Sequence, residues 1–394
     1  MIRAGVGAIV LLAVLAGAAC GSTAGPAVPP SKTPPVSPIT PSASPLAEAA
    51  GQREITPPKH GSVRVVRTLT TGLDVPWGMA LMPGGKTLLV TTRDDAKVHR
   101  VDLATGHTWL VGRIPGVVSN VAEGGEAGLL GIALSPDFAT DHRVYLYYST
   151  AHDNRIAWTV FDEHRKSGHQ LGALHVIKRG IPHGVHHNGG RIAFGPDGML
   201  YAGTGESEVP SLAQNLHSLG GKVLRMTPAG KPAPGNPFKH SVVYSYGHRN
   251  VEGLAFDPDG RLWASEFGDR AYDELNLIKA GHDYGWPATQ GRTKNPRYTS
   301  PVAQWGTEVD SPSGIAYAGG SIWMAALKGE RLYRIPLNGA HVEAKPHAFL
   351  VGRFGRLRSV LALGPHTIVV STSNRDGRTT PRAGDDKLIV LHVT

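Results

Sequence analysis

Residues 190–203 read GRIAFGPDGMLYAG, and residues 253–265 read GLAFDPDGRLWAS. Each stretch has a small residue, alternating apolar positions, a Pro-Asp-Gly turn and a second apolar run. Alternation at period two marks a strand, and Pro-Asp-Gly between two such runs marks a hairpin. The unit recurs as GMALMPGGKTLLVT from Gly78 and GIALSPDFATDHRVYLYY from Gly131. Weaker copies are GIAYAGGSIWMAA from Gly314 and SVLALGPHTIVVST from Ser359. Successive starts lie 53, 59, 63, 61 and 45 residues apart, which is an internal repeat. Further apolar runs at 97–101, 222–226, 275–278 and 331–335 allow four short strands per unit. One such unit cannot cover both of its faces, whereas units packed radially around an axis cover one another. The sequence therefore predicts an all-β fold, a six-bladed β-propeller over residues 61–394. The runs near Thr70 and at 387–393 are expected to share a blade and close the ring. A two-sheet sandwich would leave the even repetition unexplained.

Composition narrows the rest. One cysteine in 394 residues excludes a disulfide scaffold, and 41% hydrophobic with 18% charged residues excludes a wholly disordered chain. Only residues 1–20, MIRAGVGAIVLLAVLAGAAC, hold a long apolar run. Arg3, the apolar core and the small residues before Cys20 predict an export signal of lipoprotein type, with Cys20 acylated. Gly17 stands where the common lipoprotein pattern has Leu. Residues 21–60 hold ten prolines among Ser, Thr and Ala, and are expected to form a disordered tether. The expected location is extracytoplasmic, held to the membrane by the lipid anchor only. The formal net charge of +9 falls to +7 for residues 61–394 once signal and tether are set aside. These basic residues are dispersed with no aromatic-interleaved stripe, which argues against nucleic acid and leaves an acidic ligand open.

In a propeller, loops from separate blades converge on a funnel at one end. Candidate chemistry sits in such loops. His186 and His187 precede the third inner strand, and an imidazole there suits general-base work. Arg249 and Asn250 precede the fourth and suit carbonyl or carboxylate oxygens. Lys328 in the fifth unit and Arg356 and Arg358 in the sixth add cations, so the funnel reads as fit for a polyanionic small molecule. Residues 264–287 carry Glu266, Asp269, Asp273 and Glu274 among glycines, an oxygen-rich loop suited to a hard cation. Cysteine pairs, a P-loop, a GxSxG elbow and a dinucleotide glycine fingerprint are absent, so nicotinamide chemistry is not expected.

The ordered segments GGEAGLLGIALSPDF, HHNGGRIAFGPDG, SLGGKVLRM, YGHRNVEGLAFDPDG, DELNLI, YGWP, LKGERLYRI and RLRSV resemble the soluble quinoprotein glucose and aldose sugar dehydrogenases. These enzymes use pyrroloquinoline quinone (PQQ). The resemblance spans roughly residues 65–394 and implies a six-bladed propeller. It implies that His187 takes the proton of a sugar's anomeric hydroxyl while the C1 hydride passes to PQQ, giving a lactone. Arg249 would stabilise charge on the quinone oxygens, and Asn250, Lys328, Arg356 and Arg358 would bind PQQ. Ca²⁺ beside PQQ would lie on Gly268 and Asp269, with a further Ca²⁺ at Glu274 and Tyr284. The partners implied are an aldose and an external electron acceptor. Glu126 stands where the family places a Gln near the quinone, so it is expected to repel the PQQ carboxylates unless paired or protonated. His186 stands where the family has an Asp, and Glu206 falls where the family's Asp orients the His. The other readings are a Ca²⁺-dependent lactonase, and a non-catalytic module binding a glycan or protein.

Overall fold

The computed structural model describes residues 59–394. The signal, Cys20 and almost all of the tether lie outside the described residues. Among the described residues the strands group into six antiparallel sheets, as the repeat requires. Blade one runs from its inner strand outward as Pro76–Leu81, Thr87–Thr92, Lys97–Asp102 and Thr108–Arg113. Blade two is Leu129–Leu134, Arg143–Ser149, Asn154–Val160 and His175–Ile181. Blade three is Ile192–Phe194, Leu200–Gly203, Lys222–Met226 and Val243–Tyr246. Blade four is Asn250–Phe256, Leu262–Phe267, Tyr272–Ile278 and Ala303–Gly306. Blade five is Pro312–Ala318, Ser321–Ala326 and Arg331–Asn338, flanked by the short His341–Val342 and His347–Phe349. Blade six is Leu357–Gly364, Thr367–Thr372, Lys387–Val393 and, outermost, the N-terminal strand Val63–Thr71.

That last pairing closes the ring as expected. Val63 faces Val393 and Thr71 faces Lys387. The inner strands also neighbour one another around the axis, and the first meets the sixth. The small residue of the repeat is there because these strands approach closely. A Cβ on Gly131 would lie 2.2 Å from the Gly190 carbonyl oxygen, and one on Gly253 would lie 2.5 Å from that of Ser313. Blade faces are sealed by large side chains, with Trp77, Trp263 and Trp323 fully buried. Each buried side chain of this kind contributes roughly 1.5–3 kcal/mol.

The up-and-down order sorts the loops by end. Every inner strand descends, the second climbs, the third descends and the fourth climbs. Loops between second and third strands therefore emerge at the upper end, as do the connections from one blade to the next. The Pro-Asp-Gly hairpins lie at the lower end.

Candidate active site

His187, Arg249, Lys328, Arg356, Glu126, Glu206 and Asp376 all sit on upper-end loops or at the head of an inner strand. His187 has a left-handed backbone, φ 56°. That conformation costs a non-glycine residue about 1–2 kcal/mol and persists only where neighbours hold it. Two carboxylates do so. The His187 N–H donates to Glu126 Oε2 at 2.9 Å. The imidazole Nδ1 donates to Glu206 Oε1 at 2.9 Å. A carboxylate can only accept, so Nδ1 carries a proton, and in the neutral imidazole the lone pair is on Nε2. Glu206 is itself fixed, since its N–H donates to the Arg249 carbonyl at 2.9 Å and its side chain is 1% exposed. Asn250 joins the same unit by accepting from the Gly189 N–H at 2.9 Å. His187, Glu126, Glu206, Arg249 and Asn250 thus form one hydrogen-bonded group across the blade three–four seam.

Glu126 is not left alone with its charge. Its Oε1 accepts from Arg378 Nη2 at 3.1 Å, so of the two alternatives, pairing or protonation, the structure shows pairing. His186 turns to the rim instead, where its Nδ1 meets Glu208 Oε1 at 3.0 Å. The two adjacent imidazoles have centroids 6.3 Å apart and separate carboxylates. The hydrogen bond to His186 is the main cause holding the Glu208 carboxyl below its ordinary range.

Arg249 Nη1 donates to the Gly268 carbonyl at 2.6 Å, and Nη2 donates to Asp269 Oδ1 at 3.2 Å. Its guanidinium carbon lies 5.4 Å from the centroid of the Trp286 ring. Around it three buried donors lack protein acceptors: Arg249 Nε, Asn250 Nδ2 and Trp286 Nε1. Buried donors without acceptors are costly, so donors of this kind fit an oxygen-rich ligand.

The other cations divide in two. Lys328 is half exposed and paired with Glu308 at 2.7 Å on the rim. Arg356 and Arg358 are buried on the axis. Arg356 Nε donates to Asp376 Oδ2 at 2.9 Å, and Arg358 Nη1 donates to Glu252 Oε2 at 3.1 Å. Burial pushes the Glu252 carboxyl up, against the pull of Arg358. Arg191 lies beside them. It donates to the Glu252 carbonyl at 2.9 Å and to Ser359 Oγ at 2.9 Å. Its guanidinium carbon sits 4.2 Å from the centroid of the Trp77 ring. This network ties blades one, three, four and six together beneath the funnel.

The acidic loop lies to one side of Arg249. A cavity of about 10 Å³, near the size of one water, is bounded by Arg249, Glu266, Gly268, Glu274, Tyr284 and Trp286 among others. Burial, and then Glu266, push the Glu274 carboxyl up to about 8. Its oxygens accept from the Gly291 N–H and from Asn276 Nδ2. The Tyr284 hydroxyl donates to the Leu277 carbonyl at 2.6 Å. Among the described residues no group of three or more His, Cys, Asp or Glu side chains forms a metal-holding cluster. Any ion here would rely on main-chain oxygens or on its ligand for the rest of its shell.

Arg378, Arg191 and Trp286 are among the site residues that escaped sequence reasoning. Arg191 and Trp286 lie within quoted motifs but had no residue-level signal of their own. Arg378 lies in the loop 373–386, where arginines recur without a pattern.

A family model described as glucose/sorbosone dehydrogenase matches residues 73–381. The aldose sugar dehydrogenase YliI of Escherichia coli is 30% identical over 325 residues, covering 75% of this chain and 86% of that protein. Quinoprotein glucose dehydrogenase B of Acinetobacter calcoaceticus is 31% identical over 57% of this chain and 52% of its own. A solved structure of the PQQ-bound form of aldose sugar dehydrogenase from Streptomyces coelicolor superposes with TM-score 0.84 at 58% identity. That match covers 86% of this chain and all of the other.

Proposed function

This chain belongs to the glucose/sorbosone dehydrogenase family, and from that membership we propose that it oxidises aldoses at C1 to lactones. It is an oxidoreductase of the PQQ-dependent sugar dehydrogenase type. The observation that carries the finer reading is one hydrogen-bonded group. In it the His187 imidazole is held at Nδ1 by Glu206, with unspent donors of Arg249 and Asn250 in the same group and of Trp286 beside Arg249.

PQQ, when bound, supplies an o-quinone that accepts the two electrons of the C1 hydride. The protein's share is binding, orientation and proton movement. His187 Nε2 takes the anomeric hydroxyl proton as the C1–H bond breaks and the C1–O bond gains double-bond character. Glu206 keeps Nδ1 protonated and stabilises the imidazolium that results. Arg249 and Asn250 direct donors at oxygens that gain negative charge, where fixed dipoles in a dry site have their largest effect. Lys328 on the rim and Arg356 at the axis flank the same funnel and suit carboxylates. An external acceptor removes the electrons.

Ca²⁺ is proposed partly on the main-chain carbonyls of Gly268 and Asp269, of which that of Gly268 now accepts from Arg249. Ion and guanidinium therefore compete for the Gly268 carbonyl. A second ion is proposed in the small cavity beside Glu274 and Tyr284. Exported, lipid-anchored residence through Cys20 is proposed on the apolar run and the proline-rich tether, and acyl labelling of wild type against Cys20→Ala tests it.

The test of the reaction is reconstitution. PQQ and CaCl₂ added to the purified protein should perturb the PQQ absorbance and yield dye reduction with at least one of a panel of aldoses. Absence of both the spectral change and turnover would remove the proposal. His187→Ala is expected to lower kcat by about 10²-fold or more while PQQ still titrates. Near-normal turnover in that variant would reject the general-base role.

A further inference from the structure

Arg378 belongs to the loop between the second and third strands of blade six. Glu126 belongs to the connection from blade one to blade two. They are 252 positions apart in sequence, and their ion pair bridges two loops at the funnel mouth. The other Glu126 oxygen accepts the N–H of His187, whose left-handed backbone needs that support. We propose that Arg378 is a positioning residue that neutralises Glu126 and so sets both the backbone and the proton affinity of His187. The proposal rests on the general-base reading of His187 given above.

Charge makes the argument. The groups facing His187 are Glu206, Glu208 and His186 from its own blade, and Glu126 from the connection before it. Arg249 and Asn250 reach it through main-chain contacts to Glu206 and Gly189. Three carboxylates therefore surround one imidazole. Glu126 itself faces Arg93, Arg378 and the buried Glu252. Arg93 is already chelated by Asp94, with hydrogen bonds of 2.7 and 3.0 Å. Arg378 is the cation left to pair with Glu126. Without it, a net negative charge would sit one hydrogen bond from His187 and favour the imidazolium. An imidazolium cannot accept a proton, so activity at a given pH would fall. A glutamine at 126 could accept the same N–H and would need no such partner.

The experiment uses the apoprotein first. Histidine-¹⁵N-labelled protein is titrated by NMR, with His187 assigned by its loss in His187→Ala. Arg378→Ala is expected to raise the His187 midpoint by about half a pH unit or more, from one uncompensated charge nearby. Glu126→Gln is expected to lower it, because Arg378 then stands alone. The double variant Glu126→Gln/Arg378→Ala is expected to return it to the wild-type value, and Arg378→Lys to keep most of it. Arg378→Gln serves if the alanine variant unfolds. In the PQQ-loaded enzyme the acid limb of kcat is expected to move with these midpoints, with KM for the sugar little changed. Midpoints that stay fixed in the Arg378 variants overturn the proposal, whatever the activity. Midpoints that move as stated in a protein that never oxidises sugar uphold the pair and reject the catalytic reading instead.

Discussion

Position 126 shows how one side chain can be read correctly in kind and incompletely in place. A carboxylate where the family has an amide demands compensation, and that demand is legible in sequence. The source of compensation is not, because Arg378 approaches from the far side of the mouth in a loop with no pattern. His187, Arg249 and Asn250 were legible through their segments, and Glu206 by its position. Asp310 was not singled out at all. It is fully buried, and neither carboxylate oxygen has a partner. Burial, and then Asp273, hold its carboxyl well above the ordinary carboxylate range. A raised folded-state value means the native state binds more protons than the unfolded chain above pH 3.8. Stability is therefore lost as pH rises from there through the folded value. Asp310→Asn is expected to remove that loss. Chemical denaturation should find the variant more stable than wild type by about 1 kcal/mol or more at pH 8, and little changed near pH 4.

At the scale of the strand, the inner hairpins were readable and the outer strands less so. Inner strands are buried on both faces and must be apolar and small where they meet. Outer strands such as His175–Ile181 and His347–Phe349 are half exposed, so few of their positions are constrained. Blade five carries an extra short strand for which the repeat made no provision. The glycine that begins each strong repeat has a packing cause. At Gly131 the neighbour is the carbonyl oxygen of Gly190, two residues before the next inner strand, which cannot rotate aside. Gly131→Val is expected to cost about 1–3 kcal/mol in urea unfolding. A valine tolerated there without loss would contradict the close approach. The seam it would open lies beside Gly190 and, three residues before it, His187, so turnover should fall along with stability.

For the molecule as a whole, ring closure decides cooperativity. The strand Val63–Thr71 covers the edge of Lys387–Val393, and partly buried Val63 and Val65 pack on the core of blades five and six. Removing residues 59–71 would expose a full strand edge and an apolar face. The truncated protein is expected to melt at least about 5 °C below the full chain in calorimetry. An unchanged melting temperature would mean that five blades and a partial sixth suffice. The six copies made the fold legible, and their ends told where the circle joins. The axial network of Arg191, Glu252 and Arg358 was invisible at this level, because it is assembled from three blades whose sequences meet only in space.

The direction of that closing strand has an outcome for traffic. Val63 pairs with Val393 at the floor and Thr71 with Lys387 at the mouth, so the polypeptide enters from beneath. The described chain therefore begins beside the end that carries the Pro-Asp-Gly turns, where Ser62 bonds to Thr394. A ligand reaching His187 and Arg249 would then arrive at the opposite end and would not have to pass that entry.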